Sequence, residues 1–222
     1  MNRVSYAASF KISDIDEFAV DAYKTYLPRF SHISVRENNL KTYLKNELDI
    51  ESTNVLDPTL LLKEDVWSEL IKKNRLICEK YVLIYYVNQP VELVVKACEY
   101  AYNHNLKIVS LNKLNKCKDY YDYSFASIED FLNLVKNAEV VFTTSFHGMA
   151  FSINFHRNFY FEVPQNSYNN NERLLDLATK LNLKDRNISL GLNEKSIEWE
   201  EKDDILDKLI RESLEYLDNS LK

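Results

Sequence analysis

The segment Ser145-Phe146-His147-Gly148 holds the side chains best suited to chemistry. An imidazole donates or accepts protons near neutral pH, and a neighbouring glycine permits a tight backbone turn. An apolar run before the segment predicts a strand, and the residues after it predict a helix, so backbone N–H groups at the turn can bind an anion. The pattern predicts an anion site with His147 as an acid or base, and a structural histidine is the alternative.

Polar side chains also lie at the ends of three other predicted strands, at Ser9, Arg36-Glu37 and Asp57. Ligands of open parallel sheets bind beyond the carboxyl ends of the strands. A surface ion pair would equally explain Arg36, and the start of a turn would explain Asp57. Arg173 begins a predicted helix, where the helix dipole disfavours a cation, so it is either a ligand-binding residue or part of a solvated helix face.

Glycine occurs only twice, at Gly148 and Gly191. A dinucleotide-binding fingerprint needs three clustered glycines, and a P-loop or a nucleophile elbow needs two at close spacing. Dinucleotide binding of the Rossmann type, Walker-type ATP hydrolysis and the hydrolase elbow are therefore excluded. Ser145 is accordingly a poor candidate for a nucleophile.

The 222 residues carry 28 Lys and Arg against 34 Asp and Glu, a net charge of −6 that argues against a nucleic-acid binder. The three cysteines are widely spaced, and His32, His104 and His156 lack the spacing of metal ligands, so neither a metal site nor a disulfide framework is expected. With no predicted signal peptide or membrane span, we expect a cytoplasmic protein.

Short apolar runs alternate with helical patterns along the whole chain, which predicts an α/β fold with parallel sheets. The polar, basic stretch at residues 72–75 is the predicted boundary between two domains. The predicted organisation is residues 1–73, residues 74–192, and an acidic linker with an amphipathic helix at 193–222. The strands are predicted near residues 4–9, 32–37, 54–61, 81–87, 107–111, 139–145 and 158–163.

Several segments occur in a fixed order along the chain: Ser5-Tyr6-Ala7-Ala8-Ser9-Phe10, Ile33-Ser34-Val35-Arg36-Glu37, Val55-Leu56-Asp57-Pro58-Thr59-Leu60-Leu61, Thr143-Thr144-Ser145-Phe146-His147-Gly148-Met149-Ala150-Phe151-Ser152, Asn171-Glu172-Arg173-Leu174-Leu175 and Leu181-Asn182-Leu183-Lys184-Asp185-Arg186. Each is weak alone, but the ordered set extends over roughly residues 4–188. Taken together, these segments resemble the polysaccharide pyruvyl transferase family.

The resemblance implies two Rossmann-like domains of the GT-B kind with an active site between them. It also implies transfer of the pyruvyl unit of phosphoenolpyruvate to a pair of sugar hydroxyls, forming a ketal during bacterial surface polysaccharide biosynthesis. No cofactor is expected, because phosphoenolpyruvate is the donor substrate. The expected acceptor is a saccharide or a lipid-linked saccharide, and the expected location is the cytoplasm or the inner face of the membrane.

The same resemblance implies roles for individual residues. Arg36 matches the arginine expected to clamp phosphoenolpyruvate, with Arg173 as a second candidate. His147 matches the motif histidine that protonates the enol methylene carbon or stabilises the departing phosphate, and Asp57 or Glu37 could accept the hydroxyl proton. The remaining expected substrate contacts are Ser9, Lys11, Ser145 and Gly148.

Two features depart from the family pattern. Lys11 stands where the family usually has glycine, so it either adds charge for phosphate binding or blocks the original loop. Family members also carry further strands and helices before the region that begins here, which predicts a partial first domain and either a truncated chain or an oligomer that covers the sheet edge. A GT-B nucleotide-sugar glycosyltransferase and a non-catalytic remnant or subunit stay as alternatives.

Overall fold

A computed structural model describes residues 3–10, 12, 15–87, 89–115, 117, 119–163 and 172–222. It contains two sheets whose strands are all parallel, with helices between the strands, so the predicted α/β class with two parallel-sheet units is confirmed. The two compact units are Met1–Leu61 with Glu200–Lys222, called unit 1, and Leu62–Trp199, called unit 2. The domain limits derived from the sequence stay a prediction.

The elements of unit 1 are β1 (Val4–Ala8), α1 (Glu17–Tyr26), a 3₁₀ turn (Leu27–Arg29), β2 (His32–Val35), α2 (Asn38–Leu48), β3 (Thr53–Asn54) and a 3₁₀ turn (Pro58–Leu60). The three strands form a parallel sheet of order β1-β2-β3. Leucines spaced four residues apart on α2 are buried with Ile33 and Val35 of β2, as expected for an amphipathic helix on a sheet.

A bulge shapes the carboxyl end of β1. The pairing register with β2 shifts between Ser5 and Ala8, and Ala7 adopts a left-handed conformation with φ of 52°. Ser34 stabilises the bulge, because its Oγ accepts a hydrogen bond from the Ala7 N–H and donates one to the Ser5 carbonyl, both at 3.0 Å. The bulge therefore sets the path of the chain into Ser9.

The carboxyl-terminal helix α8 (Trp199–Ser220) contributes residues 200–220 to unit 1. Ser213 Oγ accepts a hydrogen bond from the Leu56 N–H at 3.0 Å, and the Tyr216 hydroxyl donates to the Ser5 carbonyl at 3.0 Å. The helix begins at Trp199, within the segment 193–222 that is predicted to contain an acidic linker and a helix. Glu200 and Glu201 lie in its first turn, where the helix dipole favours negative charge.

The strands of unit 2 are β4 (Tyr81–Tyr85), β5 (Lys107–Ser110), β6 (Tyr121–Asp122), β7 (Val140–Thr143) and β8 (Asn158–Phe161). They form a five-stranded sheet of order β6-β5-β4-β7-β8. Its helices are α3 (Glu64–Glu69), α4 (Leu93–Asn103), α5 (Ile128–Asn137), α6 (Phe146–Asn154) and α7 (Glu172–Lys180), with 3₁₀ turns at Lys184–Arg186 and Ile188–Leu190.

Helices cover both faces of this sheet. Val82 and Ile84 of β4 are in the core cluster with Leu93 and Ala97 of α4. The alternate residues of β4 meet α5 instead: the Tyr81 hydroxyl donates to the Leu134 carbonyl at 2.7 Å, and the Tyr85 and Phe131 rings lie 5.4 Å apart. The helix α4 follows β4 and covers one face of the sheet, whereas α6 follows β7 and packs with α5 on the other face. The neighbouring central strands β4 and β7 therefore flank a topological switch point.

Two local predictions are wrong. The strand expected at residues 54–61 ends at Asn54, and the rest contains the 3₁₀ turn Pro58–Leu60, because proline has no N–H for a sheet and Asp57 accepts from the Thr59 N–H. No strand is expected between residues 111 and 139, but the structure has β6 there, and it pairs with β5. At the start of α5, Ser127 and Asp130 form a capping box.

Candidate functional site

The turn between β7 and α6 is tightly built. Ser145 is the N-cap of α6: its Oγ accepts from the Gly148 N–H at 3.3 Å, and its own N–H donates to Thr143 Oγ1 at 2.9 Å. A Cβ added at Gly148 would clash with Thr143 Oγ1 and lie 3.0 Å from Thr143 Cβ. Glycine is required here by this close approach, and the predicted strand-to-helix turn is confirmed.

His147 is the second residue of α6, and its side chain is exposed. It forms part of the wall of a pocket of about 500 Å³ at the carboxyl edge of the sheet in unit 2. The other lining residues come from the ends of β4, β5 and β6 and from α5 and α6: Tyr85, Leu111, Tyr123, Ser124, Ala126, Ser127, Ile128, Phe131 and Phe151.

Aromatic rings give this pocket a fixed apolar wall. Phe131 meets Tyr85 edge-on at 5.4 Å and Phe151 edge-on at 5.6 Å, a geometry that aromatic pairs prefer. The described residues that line the pocket include no Lys, Arg, Asp or Glu. The pocket thus suits a ligand whose surface is uncharged where it contacts these rings. The His147 imidazole lies in the same pocket wall.

Arg173 lies beside the start of α6. Its guanidinium carbon is 5.7 Å from the centre of the Phe146 ring, a cation–π distance, and the same ring is 5.6 Å from the His147 imidazole. The structure therefore brings Ser145, His147, Gly148 and Arg173 together around the N-terminus of α6. Their positions are suited to binding an anion there.

In unit 1, Arg36 and Asp57 form an ion pair between Nη1 and Oδ2, with 20% and 3% of their side chains exposed. The other carboxylate oxygen, Oδ1, accepts from the N–H and Oγ1 of Thr59 at 2.9 and 2.7 Å. Burial would raise the pKa of Asp57, but the Thr59 hydrogen bonds and the Arg36 guanidinium outweigh it and hold the pKa below its usual value. Asp57 is therefore a stable carboxylate and a weak base.

Glu37 forms a second pair in unit 1. It is 1% exposed, and its Oε1 accepts from the Ser9 hydroxyl at 2.6 Å across the ends of β1 and β2. The structure thus joins Ser9 to Glu37 and Arg36 to Asp57, while Lys11 lies outside the described residues. The roles expected for these side chains stay predictions.

Glu162 is a functional candidate that the sequence analysis missed. It follows β8, is 7% exposed, and its carboxylate accepts from the N–H groups of Val91 and Leu93 at 2.8 Å and of Glu92 at 3.2 Å. The signal that could have found it is an acidic residue directly after a strongly apolar strand. The partner in α4 could not have been identified from local sequence.

Among the described residues, no three His, Cys, Asp or Glu side chains are grouped to hold a metal ion. None of the helices in the described part of the chain has the length and apolar character needed to cross a membrane.

The family model described as polysaccharide pyruvyl transferase matches residues 1–162. The chain belongs to the polysaccharide pyruvyl transferase family. The resemblance seen in the sequence is confirmed. The matched region includes Arg36, Asp57 and His147 of this family member, whereas Arg173 lies beyond it.

No curated protein matches this family member. Among solved structures, the wall teichoic acid polymerase TagF is similar with a TM-score of 0.42 and 11% identity, over 97% of this chain and 59% of that chain. A TagF variant soaked with CDPG gives a TM-score of 0.43 and 11% identity, over 97% of this chain and 58% of that chain. The chain thus spans about 58% of the TagF length, and a likeness of this size carries no functional conclusion.

Proposed function

We propose that the chain transfers the pyruvyl group of phosphoenolpyruvate to two hydroxyls of a saccharide. The family match together with His147 at the N-terminus of α6 carries the proposal. Protonation of the enol methylene carbon gives a methyl group, and one sugar oxygen bonds to the central carbon. The carbon–oxygen bond to phosphate then breaks, and the second sugar oxygen closes the ketal. One hydroxyl proton balances the new methyl group, and the other leaves with phosphate.

The N-terminus of α6 is the proposed position for the phosphate of the donor. Helix N-termini attract anions, and the guanidinium of Arg173 adds a positive charge beside Phe146. His147 stands at this position with an exposed side chain, so it can donate a proton to the enol or a hydrogen bond to the departing phosphate.

In unit 1, Arg36 is proposed to bind the donor carboxylate. Asp57 is assigned a positioning role, because a carboxylate with a lowered pKa that already accepts from Arg36 and Thr59 is a poor proton acceptor. Glu37 is the better candidate base. It can receive the proton of the sugar hydroxyl through Ser9, whose hydroxyl already donates to it.

The pocket beside His147 is proposed to hold the acceptor saccharide. Phosphoenolpyruvate is a small polyanion, and the aromatic wall offers it no cationic partner. A pyranose ring presents apolar C–H faces that pack on Tyr123 and Phe131, while its hydroxyls extend towards the imidazole. This arrangement would place a nucleophilic oxygen next to His147.

Calorimetric titration with phosphoenolpyruvate tests the proposal, with pyruvate plus phosphate as the ligand control. We expect saturable binding to the wild-type chain, a loss of about tenfold or more in Arg36→Ala, and little change in Arg29→Ala, which removes a cation stacked on Tyr26 in the same unit. A folded wild-type chain that binds no phosphoenolpyruvate would contradict catalysis by this chain and favour the non-catalytic alternative.

A further inference from the structure

The backbone N–H groups at the N-terminus of α4 are hydrogen-bonded to a carboxylate from elsewhere in unit 2. Helix α4 follows β4, and its N-cap residue Glu92 makes no side-chain capping hydrogen bond. The carboxylate of Glu162, which directly follows β8, caps the helix instead. Oε1 accepts from the Val91 N–H at 2.8 Å, and Oε2 accepts from the Glu92 and Leu93 N–H groups at 3.2 and 2.8 Å.

This position has a general chemical meaning. In doubly wound α/β sheets, the turn from a central strand into its helix offers backbone N–H groups to the phosphates of a nucleotide. A carboxylate that receives three consecutive N–H groups satisfies the same donors with the same charge sign. Glu162 is 7% exposed and also borders an open pocket of about 330 Å³ with Val91 and Ser189, so the position lies next to solvent.

We propose that Glu162 is an internal anion that closes the phosphate position of α4 and thereby excludes nucleoside diphosphates from it. A diphosphate entering there would find its N–H donors taken and would meet a buried negative charge. Glu162 is thus a specificity-determining residue: if the proposed function holds, it separates this phosphoenolpyruvate-dependent chain from a nucleotide-sugar glycosyltransferase. Removing the carboxylate converts the position into an anion site.

The test uses the full chain with inorganic phosphate and with UDP as probes. Amide shifts of Val91, Glu92 and Leu93 are followed by NMR, and melting temperature is followed at constant ionic strength in chloride. The wild-type chain should show no saturable shift at these amides with either probe. Glu162→Ala should bind phosphate and UDP there, and its melting temperature should rise by about 3–6 °C at tenfold excess of phosphate over its dissociation constant.

Glu139→Ala is the matched control, because it removes the same charge from unit 2. Glu139 directly precedes β7, at the amino ends of the parallel strands, whereas Glu162 lies at their carboxyl ends. The control should behave like the wild type. If Glu162→Ala does not fold in chloride, phosphate or acetate must restore its folding. Saturable UDP shifts at residues 91–93 of the wild type would overturn the proposal, as would a Glu162→Ala chain that phosphate neither binds nor stabilises nor refolds. No readout depends on turnover, so the inference and the proposed function fail separately.

Discussion

Asp57 accepts a hydrogen bond from Arg36 through Oδ2 and two from Thr59 through Oδ1, so one buried carboxylate fixes a cation and a turn together. The guanidinium is thereby oriented by the fold before any ligand arrives. Preorganisation of this kind lowers the entropy lost when an arginine binds an anion. Under the proposed function, Arg36 binds the donor and Asp57 positions the guanidinium.

Asp57→Asn should lower the free energy of unfolding by about 1–3 kcal/mol at neutral pH, because a charged acceptor for Arg36 and Thr59 is lost. The folded pKa of Asp57 lies below its ordinary value of 3.8, so the ionised carboxylate adds stability above about pH 4 and this gain is lost as pH falls through the folded pKa. Urea unfolding at pH 7 and pH 3 should therefore show a difference between wild type and variant that shrinks in acid.

The matched control for this prediction is Asp49→Asn. Asp49 also pairs with a cation, Lys45, but its side chain is 91% exposed, and asparagine tolerates its left-handed backbone. A stability loss at Asp49 equal to that at Asp57 would contradict the importance of burial.

His147→Ala should reduce kcat by about 10²–10⁴-fold and leave the dissociation constant of phosphoenolpyruvate nearly unchanged, since a general acid acts mainly in the transition state. Phosphate release and calorimetry measure the two quantities separately. His104→Ala, which removes an exposed imidazole stacked on Tyr100 at 4.0 Å, should change neither. Equal losses of donor affinity and rate would instead assign His147 to ground-state binding.

Gly148→Ala should destabilise the fold by about 1–3 kcal/mol, because the added methyl group meets the buried Thr143 side chain. The second substitution Thr143→Ala removes Oγ1 and Cγ2, two of the three atoms in contact, and should recover part of that loss. Denaturant unfolding of the double-mutant cycle measures the coupling.

Gly191 provides a contrast, because its φ is +91° and no atom lies within 4 Å of an added Cβ. Gly191→Ala should cost about 1–2 kcal/mol through backbone strain alone. Thr143→Ala should not recover it. Recovery at both glycines would show that the rescue is not due to the contact at the β7–α6 turn.

Tyr123→Ala should raise the KM for the acceptor saccharide by about tenfold and leave phosphoenolpyruvate affinity unchanged, because the ring lies in the pocket wall assigned to the acceptor. Initial rates at varied acceptor and donor concentrations separate these effects. Tyr102→Ala, which removes a ring that is 87% exposed on α4, should leave both unchanged. A change confined to the donor KM would reassign the pocket to phosphoenolpyruvate.

Local sequence patterns predict much of the fold and one part of the candidate site. The alternation of apolar runs with helical periods predicts the parallel sheets, and the turn Ser145-Phe146-His147-Gly148 predicts the start of α6, because both depend on neighbours in sequence. The strand predicted beyond Asn54 is absent, because Pro58 and the capping side chain of Asp57 favour a 3₁₀ turn even though the segment is apolar. Pairs such as Arg36 with Asp57 and Glu162 with Leu93 depend on tertiary folding, so residue spacing alone does not reveal them.

The hydrogen bonds from Glu162 also have a consequence for how unit 2 assembles. They join residues about seventy positions apart, and they link α4, the helix that follows β4, to the end of the edge strand β8. The first turn of α4 is therefore completed only after β8 has joined the sheet. Contacts between residues so far apart in sequence slow folding and make the segments that they connect unfold together. Unit 2 should melt as a single cooperative block, and a fragment containing only β4, α4 and β5 should lack a stable first turn in α4.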